Sequence, residues 1–480
     1  MHITHVSFAR NGTPQRLQLR DIQPDNSKNV FTVINGENGT GKSSLLRIIS
    51  DAALGLEASR QYKMFAGEIS ITMTGKVSRT IALSGTHNDR FPLNSGVEIR
   101  ANSNRFDLLP FYYYGPKQSG NYTSSSKAST TIAHSLLLAL ASKNLPRLSL
   151  AGLLEYMGFL PWMSLSFEWG SRPRRDEPHR FSLLRKRIES FLEDVPSNSK
   201  LTDSLLETLN ASEAFLNEFS RDIFPAKKET GAALAIDLRS GAITYDRYFP
   251  LLDIANRIPN VPQEQVYADL LSIGIFTAKV TLDRIGSRKH RLDDLSSGEW
   301  QLFYSLANLL VNVADDSLVL IDEPENSLHP RWQTEYLGLV RELIKHRSGC
   351  HVVIATHSPL VTSSLMPFDG NLVSMQRAGP DDEVRANLED TAYGWSPSDT
   401  LKERFEMDSV RPPEITKAVN AALRLLKEDS LPRSELTAAA RRIESLRKHL
   451  PSHDPLLAVM DAIVKIASGE RRERGVLTEQ

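Results

Sequence analysis

The sequence predicts an α/β protein: a three-layer core with an antiparallel β lobe, a helical insertion and a helical C-terminal extension. Three observations support this. The apolar run Asn29–Ile34 leads directly into a glycine-rich loop and then into a helical pattern. A second apolar run, Leu318–Ile321, ends in two carboxylates, and a third, Val352–Ala355, ends near a histidine. Buried strands of this kind, each followed by a loop, are typical of an open α/β sheet.

Composition places the chain among ordinary globular proteins, with 480 residues, 40% apolar and 24% charged. The formal net charge of -1 gives no overall field that would attract nucleic acid or an anionic membrane, so such binding needs local patches. Cys350 is the only cysteine, which excludes an internal disulfide framework and a cysteine zinc site. The sequence shows no signal-peptide pattern and no run near the ~18 apolar residues of a membrane span. We expect a cytoplasmic protein that contacts no membrane.

The chain divides into four predicted parts. Residues 1–120 form the N-terminal lobe of the core and contain the glycine-rich loop, and residues 121–232 form a mainly helical insertion. Residues 233–395 form the C-terminal lobe, and residues 396–480 form a helical extension. Helical spacing of apolar residues between 201 and 219 supports the insertion. The extension is either a docking surface for another subunit or a helical cap on the core.

The glycine-rich loop matches the phosphate-binding pattern in full, from Gly36 to Gly41-Lys42-Ser43. Its glycines let backbone N–H groups converge on phosphate oxygens at a helix N-terminus. Lys42 would bring a positive charge to the β- and γ-phosphates of ATP, and the Ser43 hydroxyl would bind Mg²⁺. A glycine-rich turn without a ligand is disfavoured by the strand–loop–helix context. We expect ATP to contact Asn38, Gly39, Thr40, Gly41, Lys42, Ser43 and Ser44.

Asp322 and Glu323 follow an apolar run at the C-terminal edge of a strand, where an open α/β sheet places its ligand site. Asp322 is expected to hold Mg²⁺ through water, and Glu323 to polarise the attacking water as general base. Two surface carboxylates that cap a strand are the plainer interpretation. His357 ends the next strand, where a γ-phosphate sensor belongs, although a lone histidine there is usually a core or loop residue. We predict Lys42, Glu323 and His357 as catalytic residues.

A second anion site is predicted within Leu295–Gln301. Ser296, Ser297 and Gly298 offer a hydroxyl and backbone N–H groups at the start of a helix, and Glu299 follows in its first turn. Because the glycine-rich loop already holds one triphosphate, this second site is expected to bind the ATP of a partner subunit. Dimerisation would then be part of the mechanism.

The order of these motifs resembles that of the ATP-binding cassette (ABC) type AAA ATPases related to the SMC and RecF proteins. Residues Glu325–Pro330 are similar to the dimer-facing loop of that group. The resemblance covers roughly residues 1–360. It implies an ABC-type P-loop ATPase head that binds ATP and Mg²⁺ between two copies, with the segment Leu295–Gln301 of one copy facing the phosphate loop of the other.

A closer resemblance, to the ATPase subunit of the Septu antiphage defence system, rests on shorter stretches. These are Thr80–Ser84 with Asp89–Pro92, then Tyr113–Lys117, and later Tyr393–Ser396 with Arg411–Pro413. That family also accompanies some retrons. It implies a bacterial ATPase that forms dimers or higher oligomers and restrains or licenses a separate HNH nuclease according to its nucleotide state. DNA or a retron RNA–DNA is a further partner expected from the resemblance.

The chain departs from the ABC pattern in its signature, where Ser297 stands in place of the commonest glycine. The glutamine loop is not securely located, since Gln118 is equally consistent with a structural polar residue. No aromatic residue is assigned to stacking on adenine.

The alternative function is a RecF-like DNA-repair ATPase that clamps DNA when it binds ATP. Only the basic patches at Arg172–Arg187, Arg288–Arg291 and Arg471–Arg474 favour it. The near-neutral charge and the absence of a long heptad run disfavour an SMC-like machine. The long interval between the phosphate loop and the signature disfavours a transporter subunit. No HNH-type or toprim-type nuclease pattern is present, so we expect an ATP hydrolase, fast or slow, without a nuclease centre of its own.

Overall fold

The computed structural model describes residues 1–10, 13–20, 27–55, 70–92, 111–116, 125–169, 207–208, 210–211, 232–245, 255–272, 276–284, 286, 289–378, 383–405, 407, 409–427 and 433–468. The chain forms two compact units, Met1–Pro397 and Ser398–Gln480. Among the described residues, no helix has both the length and the apolar character that a membrane span requires.

The strands are β1 (His2–Arg10), β2 (Thr13–Gln18), β3 (Val30–Gly36), β4 (Ser70–Thr74), β5 (Arg79–Ser84), β6 (Phe111–Tyr114), β7 (Phe159–Trp169), β8 (Ala232–Asp237), β9 (Ile243–Tyr245), β10 (Phe276–Arg284), β11 (Lys289–Arg291), β12 (Ser317–Asp322), β13 (His351–Ala355), β14 (Gly370–Ala378) and β15 (Glu383–Glu389). The helices are α1 (Lys42–Ala53), α2 (Ser125–Ala141), α3 (Arg147–Tyr156), α4 (Gln263–Ser272), α5 (Ser297–Asn312), α6 (Pro330–Ile344), α7 (Pro359–Ser363), α8 (Pro397–Arg404), α9 (Pro413–Leu425), α10 (Arg433–Arg447) and α11 (Leu456–Ser468).

A seven-stranded sheet forms the centre of the first unit, in the order β15-β14-β3-β13-β12-β5-β6. Its strand pairs are parallel except for β14 with β15. Strands β3, β12 and β13 are buried along their whole length, which explains why they appear in the sequence as continuous apolar runs. Ile34, Ala355 and Asp322 lie side by side in register, so the phosphate loop and the segments after β12 and β13 leave the sheet at one edge.

Two antiparallel sheets accompany the central one, β2-β1-β4 and β11-β10-β7-β8-β9. One hydrophobic cluster joins the central sheet to α2, α3 and α5 and to the five-stranded sheet. A second cluster joins the other face of the central sheet to α1 and to β1. The predicted layered α/β core with an antiparallel β lobe is therefore confirmed.

The stretch predicted as a helical insertion, residues 121–232, contains helices α2 and α3 but also the long strand β7. Met163, Leu165 and Phe167 are completely buried at every second position of this strand, which is the period of a sheet and not of a helix. The structure thus corrects the helical interpretation for residues 159–169. The boundaries of the four parts stay predictions.

Several sequence features lie outside the described residues. They are Gln118, the basic patches Arg172–Arg187 and Arg471–Arg474, Arg288, and most of the helical spacing between residues 201 and 219. Of the middle basic patch, the described Arg291 is exposed at the end of β11.

The second unit is helical, as predicted for the C-terminal extension. Helices α9, α10 and α11 bury a small apolar core that includes Ala422, Ile443, Met460 and Ile463. The loop before α9 is tied to the loop before α11 by Arg411 and Asp454, whose side chains form two hydrogen bonds of 2.7 Å each.

Candidate nucleotide-binding site

The phosphate loop has the backbone shape that its glycines permit. Gly36, Gly39 and Gly41 all have positive φ angles, of 147°, 80° and 99°. At Gly36 a side chain is also excluded by space, because a Cβ atom there would lie 2.2 Å from the carbonyl oxygen of Met375 in β14. Helix α1 begins immediately after Gly41, so the loop opens onto the helix N-terminus.

Lys42 is buried at the base of this loop, with only 4% of its surface exposed. Its Nζ donates to the carbonyl oxygens of Gly36 (2.7 Å) and Glu37 (3.0 Å) and lies 3.4 Å from His357 Nδ1. Burial lowers the pKa of Lys42 to about 8, although the nearby acidic groups, led by Glu323, act in the opposite direction. The lysine charge is thus held by carbonyl groups of the phosphate loop.

Ser43 and Asp322 meet opposite Lys42, and the Ser43 hydroxyl donates to Asp322 Oδ1 at 3.0 Å. Burial raises the pKa of Asp322 to about 7, against the lowering effect of the Ser43 hydrogen bond. The other oxygen, Oδ2, is buried and has no hydrogen-bond partner among the described residues. A hydroxyl beside an unpartnered carboxylate oxygen fits Mg²⁺, which prefers oxygen ligands and takes few of them from the protein.

The described residues contain no ready-made metal cage of three or more histidine, cysteine, aspartate or glutamate side chains. A cation at Ser43 and Asp322 would therefore need further oxygen ligands from outside the protein. Phosphate oxygens and water are the usual source in nucleotide sites.

Glu323 follows Asp322 and leaves the sheet with a φ of 47°, in the left-handed region. Its backbone N–H donates to Ala355, and its Oε2 accepts a 2.9 Å hydrogen bond from the side-chain amide of Asn326. Its Oε1 lies 3.8 Å from Nε2 of His357. Burial and the charge of Lys42 lower the pKa of His357, with Glu323 acting in the opposite direction, so the imidazole is neutral at pH 7.

A pocket of about 420 Å³ opens beside these groups. It is lined by Asn38, Glu323, Glu325, Asn326, Gln333, His357, Ser358 and Pro359. The pocket thus lies between the phosphate loop, the carboxylates after β12 and the histidine after β13. It offers space for a phosphate group and a water molecule within reach of an acid and an imidazole.

The signature segment begins α5 with two reciprocal hydrogen bonds. Ser296 Oγ accepts from the backbone of Glu299 at 3.3 Å, and the Glu299 carboxylate accepts from the Ser296 backbone at 3.0 Å. Burial pushes the pKa of Glu299 upward, but the hydrogen bonds from Ser296 and Arg284 prevail and lower it. The side chain of Glu299 therefore stabilises the helix start, and its predicted contact with ATP stays a prediction.

Gly298 of the signature lies against the loop that follows Glu323. A Cβ atom at Gly298 would be 2.5 Å from the carbonyl oxygen of Ser327 and 3.3 Å from the ring of Trp332. Lys42, Asp322 and His357, by contrast, lie together at the phosphate loop. The atoms nearest to Gly298 belong to Ser327 and Trp332.

Sequence reasoning gave no individual role to two residues of this site, Glu325 and Asn326. Glu325 Oε1 accepts the backbone N–H of His357 at 2.5 Å, and its carboxylate also accepts from Thr356. Glu325 thereby ties the segment after β13 to the segment after β12. The sequence showed two side chains capable of hydrogen bonding just after Pro324, which could have indicated a role at the site. They were interpreted only as part of a dimer-facing loop.

Asp89 is a third residue to which the sequence interpretation gave no role at the site. It is buried, it accepts a 2.6 Å hydrogen bond from the Tyr113 hydroxyl, and its charge contributes to the raised pKa of Asp322. Both Asp89 and Tyr113 belong to stretches that carried the closer family resemblance.

Comparison with known proteins places this site in a family. A family model described as "AAA domain, putative AbiEii toxin, Type IV TA system" matches residues 31–363. Protein ea59 of Escherichia phage lambda is 37% identical over 102 residues, which are 21% of this chain and 18% of that protein. The macrolide export ATP-binding/permease protein MacB of Bradyrhizobium diazoefficiens is 34% identical over 140 residues, 28% of this chain and 20% of that protein. The chain spans about a fifth of the length of these curated relatives.

Solved structures with a similar chain path include the Smc head domain of Pyrococcus furiosus bound to the C-terminal domain of ScpA. It has 11% identity and a TM-score of 0.32, over 81% of this chain and 96% of that chain. Stu0660 of Streptococcus thermophilus has 11% identity and a TM-score of 0.31, over 99% of this chain and 96% of that chain.

The family match begins in β3, ends in α7, and includes the phosphate loop, the signature, the carboxylates after β12 and His357. These are the elements from which the site is built. The chain therefore belongs to the AAA-domain family described as putative AbiEii toxin of type IV toxin–antitoxin systems, and its core has the α/β fold of a P-loop ATPase head.

Proposed function

We propose that this protein binds ATP and Mg²⁺, dimerises around ATP and hydrolyses it, and that its nucleotide state regulates a separate HNH nuclease in bacterial antiphage defence. The observation that carries the ATPase part is the convergence of Lys42, Ser43, Asp322, Glu323 and His357 at one edge of the sheet. The resemblance to the Septu ATPase subunit supports the nuclease part, and a family described by a putative toxin suits a defence role.

Each side chain then has a role in hydrolysis. Lys42 exchanges its loop carbonyl partners for the β- and γ-phosphates and neutralises their charge, and Ser43 and Asp322 are the residues that would hold Mg²⁺. Mg²⁺ supplies charge neutralisation on the phosphates. Glu323 accepts a proton from the water whose oxygen attacks the γ-phosphorus, and the bond to ADP breaks. His357, neutral and 3.4 Å from Lys42 Nζ, hydrogen-bonds the γ-phosphate.

The second half of the site comes from another copy. Ser296 and Gly298 begin α5, where a helix N-terminus favours an anion. In one chain this helix start lies beside the Ser327 loop. A head-to-head dimer would bring the helix start of each chain against the γ-phosphate held by the other, which makes ATP part of the interface.

The first prediction concerns Glu323→Gln. This change keeps the size of the side chain and removes the base, so we expect hydrolysis to fall by about 10²-fold or more, within the range usual for a general base. ATP binding should persist, and an ATP-bound dimer should accumulate in size-exclusion chromatography with light scattering. An unchanged hydrolysis rate in this variant would show that Glu323 is not the general base.

The helical C-terminal unit is the proposed docking surface for the nuclease. On its helices α9 and α11, Leu423, Val459 and Ile466 are 37%, 40% and 54% exposed. Apolar side chains of this size can be buried by a partner protein. A helical cap on the ATPase core is the alternative role.

The second prediction tests the partner. We expect native mass spectrometry of this protein, co-expressed in bacteria with the products of its neighbouring genes, to reveal a stable complex with a small HNH protein. The complex should change in mass or abundance when ATP is added. Homodimers that appear only with ATP and retain DNA would instead favour a RecF-like clamp, and DNA binding would then weaken steeply with added salt.

A further inference from the structure

We infer that Asn326 is a positioning residue for hydrolysis: its side-chain amide holds one oxygen of the Glu323 carboxylate so that the other faces the attacking water. This inference rests on the proposed role of Glu323 as general base. Asn326 belongs to the segment Glu325–Pro330, which the family resemblance assigned to a dimer-facing loop. The inference gives it a role in hydrolysis at the active site of its own chain.

The contact itself is short and directional. Asn326 Nδ2 donates to Glu323 Oε2 at 2.9 Å, while the backbone N–H of Asn326 points to the carbonyl oxygen of Glu323 at 3.3 Å. The two residues therefore close a tight turn that is fastened by both backbone and side chain. Because Oε2 is occupied by the amide, Oε1 is the oxygen left for another partner.

The other oxygen, Oε1, lies on the side of His357. Oε1 of Glu323 lies 3.8 Å from Nε2 of His357, which is too long for a direct hydrogen bond. Both side chains line the 420 Å³ pocket together with Asn38 of the phosphate loop. Oε1 thus keeps its lone pairs for a water molecule located between the base and the phosphate.

A base works only when its oxygen lies within about 3 Å of the oxygen that carries the proton, or reaches it through one water molecule. A glutamate has several rotatable bonds and needs a fixed partner to hold one orientation. Asn326 supplies that partner without adding charge, since an amide donates to the carboxylate and leaves it ionised. An aspartate at the same position has the same size, but it would accept instead of donate and would repel Glu323.

The loop that carries Asn326 is itself fixed from two sides. A Cβ atom at Gly85 would lie 2.1 Å from the carbonyl oxygen of Glu323 and 3.3 Å from Cβ of Asn326. On the other side, a Cβ atom at Gly298 would lie 2.5 Å from the carbonyl oxygen of Ser327. Asn326 is therefore held in place before nucleotide arrives, as a preorganised site requires.

Asn326 also lines the pocket, so a direct contact with ATP is the competing role. The two roles separate in steady-state kinetics. A residue that binds ATP raises KM when it is removed, whereas a residue that only aligns the base lowers kcat and leaves KM unchanged.

The test compares Asn326→Ala, Asn326→Asp and Asn326→Gln in the full-length protein. We expect kcat to fall about tenfold in the alanine variant, the usual effect of losing one hydrogen bond at a reacting group, and further in the aspartate variant. The glutamine variant, which keeps the amide donor, should recover part of the rate. KM for ATP should stay within about twofold in all three. Glu342→Gln, at an exposed ion pair with Lys345, is the matched surface control.

A kcat for Asn326→Ala within twofold of the wild type would overturn the inference, and so would a rise in KM that accounts for the whole loss. A faster alanine variant would also overturn it and would show that Asn326 restrains the base. Glu323→Gln is measured alongside. If the wild type hydrolyses ATP and Glu323→Gln does not, unaffected Asn326 variants refute this inference alone. If Glu323→Gln retains the rate, the proposed function of Glu323 fails and this inference fails with it.

Discussion

Burial acts in opposite directions on the two charged groups below the phosphate loop. It lowers the pKa of Lys42 to about 8 and raises that of Asp322 to about 7, because a charge loses its hydration in both cases. Between these two values most Lys42 side chains are protonated and most Asp322 side chains are ionised. The charge pattern that suits Mg²⁺ and a triphosphate is thus complete only near neutral pH.

ATP binding should weaken in alkaline solution. Below pH 8 Lys42 is mostly protonated, and above it the free protein loses this charge. Because binding must then take up a proton, affinity should fall by up to about tenfold per pH unit until the pH exceeds the pKa of Lys42 in the ATP complex. Asp322 is mostly ionised over this interval, and its remaining titration near pH 7.5 acts in the opposite direction and is small. The measurement is equilibrium binding of a fluorescent ATP analogue at pH 7.5, 8.5 and 9.5. Lys42→Ala has no charge to lose, so its weaker affinity should stay level, and an equal decline in both proteins would contradict the prediction.

The residues that the sequence singled out at the phosphate loop and after β12 and β13 do lie together, and their roles stay predictions. They were recognisable because motif spacing ties each to the end of a strand. Asn326 and Glu325 were not recognisable in the same way. Their side chains reach the site because Glu323 and Ser327 adopt left-handed backbone conformations, with φ of 47° and 66°, which turn the loop back on itself. Non-glycine residues rarely adopt such conformations, so no propensity predicts them.

At the level of elements, the buried parallel strands were predicted to within a few residues, since strands covered on both faces are continuously apolar. Helix α2 begins at Ser125, in a segment rich in serine and threonine, which have weak helix propensity. Ala128, Ile132 and Leu136 are buried at helical spacing along it, so tertiary packing outweighs the weak local preference. Strand β7 was missed although its alternation was visible in the sequence.

Two isoleucines in the C-terminal helices allow the effect of removing a buried side chain to be compared with that of removing an exposed one. Ile463 and Ile466 lie one turn apart on α11 and are 1% and 54% exposed. Ile463→Ala should destabilise the α9–α11 bundle by about 2–5 kcal/mol, because it leaves a cavity in a small core. Ile466→Ala should change it by about 0.5 kcal/mol or less. Hydrogen exchange of the α9–α11 amides in the full-length protein measures both, and equal effects would show that Ile463 is not part of a packed core.

For the whole molecule, sequence patterns predicted the layers but not the order of the strands. The seven-stranded sheet places β5 beside β12 and β3 between β13 and β14, and these pairings join segments that are hundreds of residues apart. Local propensity contains no information on such partners. They follow from which apolar faces cover each other once the chain has collapsed, and that depends on helices such as α2 and α5 as much as on the strands.

The position of β3 in the sheet determines when this strand can pair with its neighbours during synthesis. Its neighbours are β13 and β14, and residue 30 pairs with residue 351, so a ribosome that adds about 5–20 residues per second needs roughly 16–64 s to supply the first partner. Throughout that interval this mostly apolar, buried strand has been made without either of its neighbours in the sheet. Gly36 meets its neighbour Met375 later still, so the phosphate loop takes its final shape only after residue 375 has been made. A nascent chain stalled before that point should neither bind nucleotide nor assemble with a partner, and it should depend on chaperones to stay in solution.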